Sequence, residues 1–250
     1  MEALFYVYLF LFGLVCGSFF NVVGMRTAEN RSIITPGSHC PKCRHPIAAK
    51  ELIPVVSYIL QKGRCKHCQH SISLKYPFFE LATACLFAVS PLAAGWSKEL
   101  LAAFLLISLV VIVTVSDLHK MLIPNRVLLF FGMAIFITRL FAPMEPWWDP
   151  YAGSLLGFGL LYVIAAASKG GMGGGDIKLF AVLGLFVGVK GIVLTLFFAA
   201  FFGMLFGLAL MAMRKFKRKQ PIPFAPFIGL AVLVSYAFGE QWWDFYFRLF

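Results

Sequence analysis

The stretch Gly170-Gly-Met-Gly-Gly-Gly-Asp176-Ile-Lys178 joins two long apolar segments of the chain. Glycine suits backbone that must bend sharply or that another group must approach closely. A carboxylate at the edge of an apolar span is costly, so Asp176 is a candidate functional residue. The alternative is a flexible loop between two helices whose Asp caps the second helix. The rest of the sequence has to decide between these two interpretations.

The composition is that of a membrane protein. Hydrophobic residues make up 60% of the 250 residues and charged residues only 13%, whereas soluble domains are about half apolar. We therefore predict an all-α, polytopic membrane helical bundle with about eight transmembrane helices. The first span lacks a basic start and a small-residue cleavage site, so we interpret it as a retained helix. The predicted spans are 3–24, 77–95, 99–116, 127–142, 151–168, 177–189, 191–213 and 224–240.

The distribution of Lys and Arg predicts the orientation, because cytoplasmic loops of membrane proteins collect these residues. With both termini outside, the inside loops hold 18 of the 22 basic residues. Asp117 and Asp176 then lie at the cytoplasmic ends of their helices. The net charge of +11 comes from short loops without a nucleic-acid-binding motif, so we predict no nucleic acid partner. The inside loops are 25–76, 117–126, 169–178 and 214–219.

We predict three parts: a first transmembrane helix at 1–24, a cytoplasmic loop at 25–76 and a membrane helical bundle at 77–250. The loop contains the two knuckles Cys40-Pro-Lys-Cys43 and Cys65-Lys-His-Cys68. Four thiolates in two tight turns form a tetrahedral site, so the spacing predicts structural Zn²⁺. Disulfides or a redox pair are the alternatives, and a reducing cytoplasm disfavours disulfides. A loop of this size has too small a core to fold alone, and zinc would supply the missing folding energy.

A second acidic residue completes a candidate active site. Asp117 closes the third span, in Ser116-Asp117-Leu-His-Lys-Met-Leu-Ile-Pro124-Asn125. A charged group in a bilayer costs about 2.5–3.5 kcal/mol, so Asp117 and Asp176 are expected to pair around shared water. Two close carboxylates do not readily hold two negative charges, so one would activate water while the other, protonated, polarises a carbonyl. For either residue alone, helix capping or snorkelling is the alternative.

Two more charged residues are candidates for a supporting role. Glu80 follows Pro77, which suits the first turn of a helix. Glu80 could act directly at the site or interact with the helix N-terminus. Lys178 could favour the ionised form of Asp176 or contact a lipid phosphate.

Ordered motifs run along nearly the whole chain. They are Gly17-Ser-Phe-Phe-Asn21-Val-Val with Arg26, the two Cys pairs, residues 72–80, Asp117 with Ile123-Pro124-Asn125, Gly173-Gly-Gly175-Asp176-Ile-Lys178-Leu and Pro223-Phe-Ala-Pro226-Phe. These motifs resemble those of the prepilin leader peptidases, membrane aspartic proteases with a G-x-G-D motif. His119 stands where many members carry a second Asp.

The resemblance implies removal of a basic leader from prepilin-like proteins, after a Gly and before their hydrophobic segment. It implies Asp117 and Asp176 as catalytic residues, supported by Gly173, Gly175 and Lys178. It also implies a bacterial inner membrane, contact with lipid, and N-methylation of the new N-terminus with S-adenosylmethionine. No Rossmann glycine motif accompanies this second activity. The small size suits a competence-type pilus system.

Two other functions compete with the peptidase hypothesis. One is a proton- or ion-coupled transporter that uses Asp117 and Asp176 as relay carboxylates. The other is a zinc-ribbon assembly platform that performs no chemistry. Inverted repeats, which many transporters contain, are not detectable in the sequence.

Overall fold

The computed structural model describes residues 2–168, 172–213 and 222–248. The predicted inside loop 214–219 and the first glycines of the 170–178 stretch lie outside these residues. In the described part of the chain, regular structure is helical apart from two isolated β-bridges, so the all-α prediction is confirmed. The helices are α1 (Glu2–Ala28), α2 (Val56–Leu60), α3 (Lys75–Ala94), α4 (Glu99–Lys120), α5 (Asn125–Phe141), α6 (Asp149–Ala167), α7 (Gly174–Ala212) and α8 (Ala225–Arg248), with a 3₁₀ turn at Ala49–Glu51.

Five of the described helices, α1, α3, α4, α6 and α7, are long and apolar enough to cross a membrane. The longest, α7, is interrupted at Gly188, whose φ of 67° and ψ of −170° are non-helical. Glycine adopts this conformation without a steric penalty. The interruption divides α7 into arms at 174–187 and 189–212, close to the predicted boundary between the sixth and seventh spans. The count of eight crossings stays a prediction.

Helix α4 forms the centre of the bundle. In its most apolar window 72% of the residues are buried, against 22% in α1, α6 and α7. It packs against α1, α3, α5 and α8. Large apolar side chains such as Leu4, Phe130 and Leu155 are exposed on the outer helices, and exposed apolar surface of this kind marks a membrane-contacting face.

The chain reversals gather helix termini at two ends of the bundle. The end that holds Asp117, Asn125, Asp176 and Ala225 is called the aspartate end. The opposite end, called the Gly188 end, holds Glu99, Arg139, Asp149 and Gly188. The segment 29–74, which carries the four knuckle cysteines, connects α1 to α3 at the aspartate end.

Candidate active site and metal centre

Asp117 lies in the last turn of α4, with only 7% of the residue exposed. Its Oδ2 accepts a hydrogen bond of 2.9 Å from the backbone N–H of Ala225, the first residue of α8. The helix ends at Met121, whose left-handed backbone (φ 53°) turns the chain back. Ser116 stabilises this turn by donating a 2.6 Å hydrogen bond to the carbonyl of Leu122. Asp117 is thus held between the end of one helix and the start of another.

Asp176 lies in the first turn of α7 and is half-buried. Its backbone N–H donates to the carbonyl of Gly173 at 3.1 Å. The carboxylates of Asp176 and Asp117 are close enough to interact electrostatically, although the two residues are far apart in sequence. The structure therefore brings the two predicted carboxylates to one region, and their catalytic role stays a prediction.

The glycines before Asp176 serve three different purposes. A Cβ atom at Gly175 would lie 2.9 Å from Cβ of Ile123, and one at Gly173 would lie 3.1 Å from Oδ2 of Asp176. At Gly174 nothing lies within 4 Å of such an atom. Gly175 therefore lets the start of α7 approach the α4–α5 connection, which brings Asp176 towards Asp117. The close approach of another group, for which the sequence analysis found glycine suited, has open space at Gly174.

Lys178 connects α7 to α5 through a side-chain hydrogen bond. Its Nζ donates a 3.1 Å hydrogen bond to Oδ1 of Asn125. Asn125 is the first residue of α5 and directly follows Pro124. Lys178 thus holds the start of α7, which contains Gly175, against the start of α5, which follows Ile123 in the chain.

Glu80 contacts the cysteine segment. Its buried Oε2 accepts a 2.7 Å hydrogen bond from the backbone N–H of Val55. Val55 has a φ of 61° and precedes the short helix α2, and such a conformation costs a β-branched residue on the order of 1–3 kcal/mol. Sequence reasoning missed this partner because the contact joins residues 25 positions apart. Glu80 therefore attaches the cysteine segment to α3.

The four knuckle cysteines form a compact cluster. Their Sγ atoms all lie within 4.8 Å of one another, and those of Cys40 and Cys68 are 3.7 Å apart. Backbone N–H groups of Cys43 and Lys42 lower the pKa of the Cys40 thiol to about 6, whereas at Cys43 a backbone N–H from His45 is outweighed by burial and hydrogen bonds to the other thiols, which raise the pKa of Cys43 to about 11. The proximity of the four thiols, and not the pKa of one of them, makes this cluster a candidate metal site. Thiolates are the form that binds metals. The cluster could therefore hold a metal ion.

The two knuckles share one backbone geometry. The N–H of Arg44 donates to the carbonyl of Cys40, and the N–H of Gln69 donates to that of Cys65, each at 2.9 Å. Arg44 and Gln69 both have left-handed backbone, with φ of 57° and 55°. Two copies of the same turn thus present their thiols to one point.

Comparison with known proteins gives the family. The model of the "Type IV leader peptidase family" matches residues 104–208, which include Asp117 and Asp176, and that of the "Bacterial Peptidase A24 N-terminal domain" matches residues 11–94. The chain is 46% identical over 241 residues to a protein of Bacillus subtilis (strain 168) named "Prepilin leader peptidase/N-methyltransferase", covering 96% of this chain and 97% of that protein. The chain belongs to the type IV leader peptidase family.

Other relatives carry the same printed name. One of Aeromonas salmonicida (strain A449) is 35% identical over 95% of this chain and 92% of its own length. One of Neisseria gonorrhoeae is 29% identical over 92% and 90%. No solved structure matches the chain. One family match ends at residue 94 and the other begins at residue 104. This boundary does not test the division into 1–24, 25–76 and 77–250, which stays a prediction.

Proposed function

We propose that the chain is a membrane aspartic endopeptidase that removes the basic leader of type IV prepilin-like proteins and then methylates the new N-terminus. The observation that carries the peptidase proposal is the convergence of Asp117 and Asp176 from separate helices. Family membership supports the substrate class, and the printed names of the relatives support both activities. Assignment to a competence-type pilus system stays a prediction.

In the proposed mechanism the two carboxylates share the acid and base roles. The ionised carboxylate takes a proton from water as the water oxygen attacks the scissile carbonyl carbon, and the protonated carboxyl donates to the carbonyl oxygen. The carbon–nitrogen bond then breaks, and the leaving amine receives a proton. The N–H of Ala225 holds Oδ2 of Asp117 in place. Gly173 leaves Oδ2 of Asp176 uncovered, because a Cβ atom at this position would lie 3.1 Å from it.

We propose that this site faces the cytoplasm of a bacterial inner membrane. The segment 29–74 is rich in Lys and Arg and lies at the aspartate end, as expected of a cytoplasmic loop. A prepilin with a basic leader would keep that leader on the same side of the membrane. The scissile bond, which precedes the hydrophobic segment, would then meet the two carboxylates.

Co-expression with a prepilin tests the peptidase proposal. The prepilin is followed by gel shift with the wild-type chain and with Asp117→Ala and Asp176→Ala. Asp244→Ala, at an exposed carboxylate in the last turns of α8, is the matched control. We expect cleavage by the wild type and the control only. Cleavage by both active-site variants would exclude the aspartic mechanism, and no cleavage by the wild type would favour a transporter.

We further propose that Cys40, Cys43, Cys65 and Cys68 bind one structural Zn²⁺. Tetrahedral thiolate sites suit this ion, and binding would contribute about 10–16 kcal/mol of apparent folding energy. Metal analysis of the purified protein should find about one zinc per chain. Cys40→Ser should lose it, whereas Cys85→Ser, at an exposed cysteine of α3, should keep it. A wild-type protein without zinc would contradict the proposal.

A further inference from the structure

The cysteine segment exposes large apolar side chains in two places. The first, called tip 1, is formed by Ile33 and Ile34, and 81% of Ile34 is exposed. The second, called tip 2, is the outer face of α2, formed by Val56, Ile59 and Leu60. Grouped apolar side chains on a surface mark a place where another apolar phase covers them. Each tip is fixed to the end of a helix that is long and apolar enough to cross a membrane.

Tip 1 is attached to the last turn of α1. Arg26 lies in that turn, and its Nη1 donates hydrogen bonds of 3.2 and 3.3 Å to the carbonyls of Ser32 and Ile33. The Oγ atom of Ser32 in turn accepts the backbone N–H of Ile34 at 3.2 Å. These bonds turn the chain back towards α1 directly after the helix has ended. Tip 1 is therefore held beside the end of α1.

Tip 2 is attached to α3 at a known depth along that helix. The Oε2 atom of Glu80 accepts the N–H of Val55, the residue directly before α2. Glu80 comes five residues after Lys75, the first residue of α3, which corresponds to about 7.5 Å along the helix axis. The headgroup layer on each side of a bilayer is about 5–8 Å thick. When α3 crosses a membrane, tip 2 is therefore held at the level of the headgroups.

The packing of α2 directs the residues of tip 2 away from the protein. Tyr58 faces the rest of the segment, because its hydroxyl donates to the carbonyl of Ile72 at 3.2 Å. A Cβ atom at Gly63 would lie 2.7 Å from the same hydroxyl oxygen, so the Tyr58 ring is closely packed there. Residues three and four apart share one face of a helix. The three residues of tip 2 therefore form one compact apolar surface on the outside of α2.

We propose that both tips insert into the lipid headgroup layer at the aspartate end, so that the cysteine segment is anchored to the bilayer surface at two points. Apolar side chains at this level contact the acyl chains of the lipid, which removes their surface from water. Leu74 and Phe78, at the start of α3, are exposed in the same way on a helix that can span the membrane. The first knuckle, in which Lys42 and Arg44 are exposed, stays in water.

The charged residues around tip 2 suit an anionic lipid surface. Lys50 precedes α2 in the chain and Lys62 follows it, and both side chains are exposed. Neither lysine forms an ion pair within the described residues. A lysine at a membrane surface lays its apolar stem along the lipid and keeps its ammonium group among the headgroups. Basic residues beside an apolar face are typical of segments that bind anionic lipid.

Two other occupants of the tips fit these observations less well. A second copy of the chain would need an interface of about 1,200–2,000 Å² in total, whereas each tip exposes only two or three large side chains. The leader of a prepilin is basic, so Lys50 and Lys62 would repel it. A bilayer covers small apolar groups at the ends of its own spanning helices without any matching shape. Lipid is therefore the favoured occupant.

Photo-crosslinking identifies what each tip contacts. The photoreactive residue p-benzoylphenylalanine replaces Ile34 in tip 1, Leu60 in tip 2 or, as the matched control, the exposed Lys42 of the first knuckle. The purified full chain is placed in nanodiscs of phosphatidylethanolamine and phosphatidylglycerol, and each variant is irradiated with and without a prepilin. Mass spectrometry then measures adducts with lipid, with a second copy of the chain and with the prepilin. Prepilin cleavage is measured on the same nanodiscs.

We expect lipid adducts at positions 34 and 60 to exceed those at position 42 by about tenfold or more, because lipid surrounds only the tips. Cleavage should match that of the wild type in all three variants. If a tip variant loses cleavage, which would indicate misfolding, the probe moves to Ile33 or Ile59 of the same tip. Equal lipid labelling at the three positions, or adducts of either tip with protein in place of lipid, would overturn the proposal. Lipid adducts in nanodiscs whose wild-type chain does not cleave would count against the peptidase proposal alone.

Discussion

At the Gly188 end, Arg139, Glu99 and Asp149 have partners of opposite charge or polarity. At the aspartate end, the carboxylates of Asp117 and Asp176 are instead placed within electrostatic range of each other. Arg139 is 2% exposed and donates to the carbonyls of Leu185 and Phe186 at 3.2 and 2.9 Å. It also pairs with the Glu99 carboxylate. The guanidinium thus binds the free carbonyls where the first arm of α7 ends.

The second arm of α7 is stabilised at its start in the same way. The N–H of Val189 donates to Oδ1 of Asp149 at 3.3 Å. A carboxylate at a helix N-terminus also interacts favourably with the helix dipole. The break at Gly188 therefore has a cation on the side of the carbonyls and an anion on the side of the N–H groups.

The aspartate end shows the opposite arrangement. Asp117 has the N–H of Ala225 as a partner but lies within electrostatic range of Asp176. Two like charges at one site cost stability and favour an uneven sharing of one proton. The difference between the two ends separates charged groups that stabilise the bundle, such as Arg139, from the carboxylates that are available for chemistry.

The largest expected effect follows from replacing one carboxylate by its neutral amide. Asp117→Asn and Asp176→Asn should lower prepilin cleavage by a factor on the order of 10²–10⁴ or more, because each removes an acid–base group. Neither change should destabilise the fold, because a charge repulsion is removed. Cleavage rates and thermal unfolding in detergent, measured side by side, check this. A large loss of stability would make the Asp pair structural.

At the Gly188 end the effects should be reversed. Arg139→Ala should lower the free energy of unfolding by about 3–5 kcal/mol, because it leaves Glu99 and two carbonyls without their partner. Cleavage by the fraction that remains folded should be unchanged. Arg248→Ala, at an exposed arginine of α8, is the control. If Arg139→Ala abolished cleavage without loss of stability, the contrast between the two ends would fail.

A smaller effect is expected from the glycines that precede Asp176. Gly175→Ala should cost about 1–3 kcal/mol through overpacking against Ile123, and it should slow cleavage because Asp176 moves. Gly174→Ala has open space and should stay within about 0.5 kcal/mol of the wild type. Unfolding and cleavage of both variants are compared. Equal stability of the two variants would contradict a close α7–Ile123 contact.

The smallest effect is expected at Glu80. Glu80→Gln keeps an oxygen acceptor for Val55 but removes the charge, and the loss should be about 1 kcal/mol or less. The cysteine segment 29–74 should become slightly more sensitive to limited proteolysis, and cleavage of prepilin should change little. A loss of cleavage as large as that of Asp117→Asn would move Glu80 into the catalytic mechanism.

Much of this molecule could be predicted from local sequence patterns. The apolar composition predicted the helical bundle, and the C-x2-C spacing predicted the thiol cluster. The predicted boundary between the spans 177–189 and 191–213 lies close to the break in α7 at Gly188. Each of these signals lies within a short stretch of sequence, so it can be recognised without knowing how the helices pack. That Asp117 and Asp176 meet was inferred from their shared depth and from the family resemblance.

Long-range partners could not be predicted in this way. Lys178 bonds Asn125, 53 positions away, where the sequence suggested Asp176 or lipid. Glu80 accepts a hydrogen bond from the backbone N–H of Val55. The unusual backbone conformation of Val55 depends on how the whole segment folds. Gly175 contacts Ile123 because α4, α5 and α7 converge. Such contacts depend on how helices pack, and neither periodicity nor composition encodes them residue by residue.

The position of the break in α7 has a consequence for the surrounding lipid. The arm 174–187 has 14 residues, and at 1.5 Å per residue it extends about 21 Å. The hydrocarbon layer of a typical bilayer is about 30 Å thick. Hydrophobic mismatch of this size draws the lipid headgroups inwards around a short helix. If the arm crosses the membrane by itself, as predicted for the span 177–189, the membrane would be thinned beside Asp176. Bulk water and the hydrophilic end of a substrate would then reach this carboxylate.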